Sequence, residues 1–172
     1  MDRKIKKEIN KLLNTISYTG GVVDLDAIAK HLGIRVYKDN LPDNVSGVLD
    51  CRKAMSPIVL INSTHHTNRQ RFSLAHEIGH FVMHQITGVH MDTKVFLRQD
   101  TPNPLHARME REANKFAAEL TMPELQVKES WNQISSDFLD DNPVAALATQ
   151  FQVSEGALMI RLKEIKGLNK IW

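Results

Sequence analysis

Residues Arg71-Phe-Ser-Leu-Ala-His-Glu-Ile-Gly-His80 put two histidines one helical turn apart with a glutamate beside the first. Around them, Phe72, Ala75, Gly79, Val82, Met83 and Ile86 make one broad apolar face, while Ile78 and Phe81 are apolar on the other side. A helix with that pattern is mostly buried. Imidazoles and carboxylates inside a protein need partners, because desolvating them alone is costly. The fold must therefore bury a helix from about Thr67 or Asn68 to Gln85 and still satisfy His76, Glu77 and His80. No other stretch constrains the chain as tightly.

Histidines at i and i+4 suit two ligands of one tetrahedral zinc ion. Glu77 lies about 100° round the helix from His76. From there its carboxylate reaches a water at the metal without displacing it, as a general base in metal-assisted hydrolysis must. His84 continues the row, but it sits about 12 Å along the axis from His76, too far to share a metal with both. It either lines the cleft, orients a neighbouring group or serves as a structural histidine near the helix end.

The third ligand must come from another element. A second helix, from about His106 to Leu120 and stopped by Pro123, carries Glu110, Glu112 and Glu119. Glu110 shares its side with Ala113 and Ala117, whose small side chains leave room for a close neighbouring helix. Asn114 follows at i+4, where its amide can accept the N–H of a ligating histidine. Glu112 and Glu119 lie on the other flank, facing solvent or salt-bridged. Glu110 is the expected third ligand.

The rest of the chain supplies scaffolding. Ile5, Ile9, Leu12, Leu13 and Ile16 predict an amphipathic helix ended by Gly20-Gly21, and Leu25 to Leu32 a short helix capped by Asp24 or Asp26. Strands are expected at Ile34–Tyr37, Val48–Leu49 and Pro57–Ile61, with a turn-rich stretch from Pro42 to Gly47. The 57–62 strand can expose an edge to an extended substrate. Residues 87–106 read as a surface loop, a plausible gate, with one short strand at Val95–Leu97. A polar segment surrounds Trp131, and short helices follow.

At 172 residues and net charge +2, the chain suits one domain or one with an appendage. That charge makes no case for nucleic acid or an anionic membrane. Cys51 is the sole cysteine, which excludes an intramolecular disulfide and fits a reducing compartment. It sits at a strand end, where a thiolate could hold the metal's open position, though an inert core cysteine is the simpler reading. The charged start, Met1-Asp-Arg-Lys-Ile-Lys-Lys-Glu-Ile9, lacks a signal-peptide core, and a cytoplasmic protein without a membrane partner is expected.

Arg69-Gln-Arg-Phe-Ser-Leu-Ala-His-Glu-Ile-Gly-His80, followed by Glu110-x-x-Ala-Asn-x-Phe-Ala-Ala-Glu-Leu-Thr-Met-Pro123, resembles the ImmA/IrrE family of zinc metallo-endopeptidases. Thr121 stands where that family often has a leucine before Met-Pro, a departure that does not touch the metal site. The resemblance implies an α+β, zincin-like (gluzincin-type) fold over residues 1–125, with a helical segment over 126–172 packed on it. It implies Zn2+ held by His76, His80 and Glu110, with Glu77 as catalytic base. The implied substrate class is helix-turn-helix repressors encoded nearby, whose cleavage relieves repression of mobile-element, stress-response or defence operons. His84, His90, His106 and Tyr37 are all candidates for the donor that steadies the oxyanion.

Pro143 to Leu162 has the outline of a helix-turn-helix: Ala145, Leu147 and Ala148 pack the first helix, Phe151-Gln-Val153 turns, and Ser154 caps the second. The second helix opens Glu-Gly-Ala-Leu-Met-Ile and offers Arg161 and Lys163 only later. A helix that reads DNA should present such groups near its start, so packing or substrate docking is favoured over direct DNA binding. The alternative function is a non-catalytic zinc-binding regulator or antitoxin-like protein acting through these helices.

Overall fold

The computed structural model describes residues 3–53, 56–93, 103–136 and 142–165. Among them the elements run α1 (Arg3–Thr15), α2 (Leu25–His31), β1 (Arg35–Asp39), β2 (Val45–Asp50), β3 (Ile58–Asn62), α3 (Thr67–His84), β4 (Val89–Thr93), α4 (Pro104–Thr121), α5 (Glu124–Ser136), α6 (Pro143–Phe151) and α7 (Glu155–Glu164). The fold is mixed α+β, and no helix of the described residues is long and apolar enough to cross a membrane.

Local chemistry accounts for most boundaries. Asp24 caps α2 by accepting the Ala27 N–H at 2.9 Å, and Gly33 follows that helix in the left-handed region at φ 72°. Helix α1 stops short of the Gly20-Gly21 pair. Ser17 turns left-handed at φ 50°, and the Tyr18 N–H reaches back to the Leu13 carbonyl at 3.0 Å.

The strands form one sheet in the order β1-β3-β2-β4, with β1 parallel to β3 and the other pairs antiparallel. Strand β3 is therefore interior and hydrogen-bonded on both sides, not an edge open to substrate. Its near-continuous apolar run, Ile58-Val-Leu-Ile61, is what an interior strand carries. Among the described residues, the outer strands are β1 and β4. Val45 to Gly47, expected as turn, already pairs within β2.

Strand β4 replaces part of the expected loop at 87–106. Its alternation is inverted: Val89 and Met91 are 49% and 46% exposed, while the His90 side chain is only 10% exposed. A strand whose inner face meets a polar site carries its polar residues inward, and that hides it from an apolar-in pattern search. The strand expected at Val95–Leu97 lies outside the described residues. The segment around Trp131 is helix α5, supported by burial of Val127 and Trp131 at helical spacing.

Two buried clusters result. The first joins α1, α2, the sheet, α3 and the inner face of α4 as far as Leu120; the second begins at Met122 and takes in α5, α6 and α7. Val144, rather than Ala145, joins Leu147 and Ala148 in packing α6, and Ser154 caps α7 by accepting the Ala157 N–H at 3.2 Å. Asn68, at the start of α3, donates to the Val153 carbonyl at 2.9 Å and ties the α6–α7 turn to the first cluster. Cys51 is a buried member of the first cluster, and burial, with Asp50 and Glu77 adding to it, pushes its thiol up and favours the neutral form.

Candidate metal centre

Helix α3 is buried from Ser73 through His80, so its polar residues meet protein rather than water. It approaches α4 closely because Gly79 has no side chain. A Cβ built there would come within 3.0 Å of Phe116 Cδ1 and 3.3 Å of the Ala113 carbonyl. That approach carries Glu110 to the two histidines. His76 Nε2 lies 3.4 Å from Glu110 Oε2, His80 Nε2 lies 3.2 Å from Glu110 Oε1, and the two ring nitrogens face each other at 3.0 Å.

The donor set fits a cation. Asn114 Oδ1 sits 3.1 Å from His76 Nδ1, and since an amide oxygen only accepts, the Nδ1 must carry the proton. The Nε2 is left facing His80 and Glu110, free to offer a lone pair when the ring is neutral and to donate to Glu110 when it is protonated. One ligand atom from each of His76, His80 and Glu110 lies within 4.8 Å of the others, the two histidines buried and Glu110 partly so. Imidazole and carboxylate donors at such spacing suit a tetrahedral divalent ion.

The charges of the site are strongly coupled. Burial would raise Glu110, but hydrogen bonds from His76, His80 and His90 outweigh it and hold the carboxyl far below the usual carboxylate range. Burial lowers His80 to about 4, with Glu110 opposing. His76 moves the other way: burial pulls it down, yet Glu110 and Glu77 lift it above the ordinary imidazole value. Two rings in contact cannot both be charged cheaply, so their shifts divide. Burial raises Glu77, which is 0% exposed, and His90 and His76 oppose the rise.

Glu77 also explains a glycine. A Cβ at Gly47 on β2 would come within 3.0 Å of Glu77 Oε1, so the bare backbone there makes room for the carboxylate. Among the described residues neither Glu77 oxygen makes a hydrogen bond of good geometry; His90 Nδ1 stands 3.4 Å from Oε2. His90 Nε2 meets Glu110 Oε1 at 2.9 Å, which places this ring between the two carboxylates. Burial alone would lower His90, but Glu110 and Glu77 push it up to about 9.

The other residues singled out in the sequence fall around this centre. His84 turns to α4, its Nε2 3.1 Å from the Met109 carbonyl and its Nδ1 3.8 Å from Glu112. His106 lies 3.9 Å from Glu110 Oε1. Tyr37 is 47% exposed on β1, at the edge of the sheet opposite β4, so it is not a donor to this site.

Residues 29–163 match the family described as the IrrE N-terminal-like domain, Peptidase_M78. The chain belongs to this family. Its fold is also similar to that of a solved Mycobacterium tuberculosis transcriptional regulator, with a TM-score of 0.64 at 16% identity. The likeness covers 94% of this chain and 47% of that one, so the chain spans about half the length of that protein. A search of curated protein sequences gives no match.

For this M78-family chain, two features of the site escape sequence reasoning. Asp92, on β4, groups with His76 and Glu77. An aspartate alternating with His90 on an unrecognised strand gives no spacing signal. Gly47 reads as a turn residue until the sheet sets it against Glu77.

Proposed function

We propose that this chain is a zinc-dependent endopeptidase in which His76, His80 and Glu110 hold the metal and Glu77 is the catalytic base. The observation that carries this reading is Glu77 itself: a fully buried carboxylate beside a three-donor set, with no hydrogen bond of good geometry to either oxygen among the described residues and only His90 Nδ1 facing it at 3.4 Å. Stability alone gives no reason to keep a carboxylate there, since burying one without donors costs several kcal/mol. Zinc would lower the pKa of the attacking water toward about 7 and polarise the scissile carbonyl. Glu77 takes the proton from that water and hands it to the leaving amine, and burial makes it a stronger base for the first task. His90, facing both Glu77 and Glu110, is the group set to steady the developing oxyanion. The outer edge of β4 is the place where an extended substrate can add a strand.

The substrate class we assign is a helix-turn-helix repressor encoded nearby, in the cytoplasm, with residues 1–125 as a zincin-like peptidase domain and 126–172 as a helix-turn-helix-like docking segment. The likeness in fold to a protein described as a transcriptional regulator accords with that setting. Arg161 is buried against Glu119, so of the two cations that α7 carries one is already engaged inside the protein, which supports docking over DNA binding.

Co-expression with a helix-turn-helix regulator encoded beside the gene tests the reading. The wild type should cleave it, and Glu77→Gln should bind zinc yet leave it whole. A regulator that stays intact with both proteins, each loaded with zinc, would sink the peptidase assignment in favour of a binding module. Metal removal gives a second measurement. With zinc at about a hundred times its Kd, the wild type should gain about 2.7 kcal/mol of stability, lost on chelation. His80→Ala should show little of that gain.

A further inference from the structure

Glu110 meets more imidazole than one metal needs. Its Oε2 lies toward His76, while its Oε1 meets His80 Nε2 at 3.2 Å, His90 Nε2 at 2.9 Å and His106 Nε2 at 3.9 Å. His90, His106 and Glu110 form a second group whose ligand atoms all lie within 4.8 Å of one another. Two different elements build it. His106 and Glu110 are an i, i+4 pair on α4, the same spacing that aligns His76 with His80 on α3, and His90 comes in from β4. The rings of His80 and His90 lie side by side with centroids 3.8 Å apart, so they can serve neighbouring centres through one carboxylate. Centres in two-metal hydrolase sites stand about 3.5–4 Å apart, a span that one bridging carboxylate covers.

We propose that His90, His106 and Glu110 form a second divalent-cation site that shares Glu110 with the first. Two imidazoles and one carboxylate oxygen select zinc-class ions over magnesium or calcium. The site rests on the reading of His76, His80 and Glu110 as the first metal site, because only a shared carboxylate makes the two sites neighbours. A cation there takes up His90, the ring that otherwise faces Glu77 and steadies the oxyanion, so filling the second site removes that donor and changes the surroundings of the base.

Zinc titration of the untagged chain against a chromophoric chelator, with metal content measured after dialysis, tests this. The wild type should bind two equivalents, the second more than about tenfold weaker than the first. His106→Ala and His90→Ala should each keep the tight equivalent and lose the weak one. His80→Ala should lose the tight equivalent, and Glu110→Ala should weaken both by more than about tenfold, the mark of a shared ligand. His106 is partly exposed, and circular dichroism checks that each variant folds. A wild type that binds one equivalent, lost in His80→Ala and kept in His106→Ala, overturns the second site and leaves the first. A second equivalent that survives in both His90→Ala and His106→Ala places that cation elsewhere and overturns the site as well. A wild type that binds no zinc overturns the first-site reading together with this one.

Discussion

Helix α4 carries two inward-facing glutamates, and their surroundings differ in kind. Glu119 is closed by Arg161 from α7, both nearly fully buried, and it also accepts the Glu124 N–H at 3.3 Å. Arg161 spends another donor on the Met122 carbonyl at 3.1 Å. Glu110, at the other end of the helix, meets His76, His80, His90 and His106. Glu119 meets a guanidinium, a planar fork of donors whose geometry matches a carboxylate. Glu110 meets imidazoles, which carry charge only when protonated, so compensation there is conditional. A matched ion pair suits a joint between two packed clusters. A conditional one suits a place where an ion supplies the charge.

The largest expected effect tests that contrast directly. Arg161→Ala leaves Glu119 buried and unpaired and should cost about 3–5 kcal/mol, read from urea denaturation. Replacing both partners, Arg161→Met with Glu119→Leu, should recover most of it, because an apolar pair of similar size carries no desolvation cost. Glu110→Gln, measured in chelator, should cost less than half as much as Arg161→Ala, since its imidazole partners can release their protons. Equal costs would break the comparison: Glu110 would then be as structural as Glu119.

A smaller effect separates closeness from charge. Gly79→Ala forces a methyl against Phe116 and the Ala113 backbone, which cannot swing away. It should cost about 1–3 kcal/mol and weaken zinc binding, because α3 and α4 must part. For Gly47→Ala the nearest atoms are Glu77 Oε1 at 3.0 Å and Cγ at 3.3 Å, a side chain rather than backbone. It should leave stability and zinc binding almost unchanged while lowering cleavage. If both glycines proved equal in zinc affinity, the site would not depend on helix spacing.

The sequence made the helix of the first motif legible because its apolar residues surround it, and the same logic pointed from Ala113 and Ala117 to the flank of α4 that holds Glu110. Structure places Glu110, Asn114, His76 and His80 together in space, with α3 at Thr67–His84 and α4 at Pro104–Thr121 close to the expected spans. What could not be read was sheet order. Strand β3 looked available to substrate because periodicity says nothing about which neighbours a strand acquires. Strand β4 was missed because its polar face points inward. Spacing allows Glu119 to be solvent-facing or salt-bridged, and the packing of α7 against α4 decides for the second.

A third ion pair crosses between the same two regions at the surface and should show the smallest effect. Glu124 on α5 accepts from Lys6 on α1 at 2.6 Å and from Lys128 on its own helix at 2.8 Å, with part of the carboxylate in solvent. Hydrogen bonds from Lys128 and then Lys6 lower its carboxyl from 4.5 to about 2. A depressed folded-state value means that the stabilisation is fully present above the unfolded value and is lost as pH falls from about 4.5 through about 2. Solvent screening keeps it near about 0.2–1 kcal/mol, well under the Arg161 effect. The difference in stability between wild type and Glu124→Gln should therefore be constant from neutral pH down to about 4.5 and shrink toward zero near 2. Using a difference cancels the histidine cluster, which titrates in both proteins. A gap that persisted to pH 2, or one as large as that of Arg161→Ala, would mean that burial is not what sets these pairs apart.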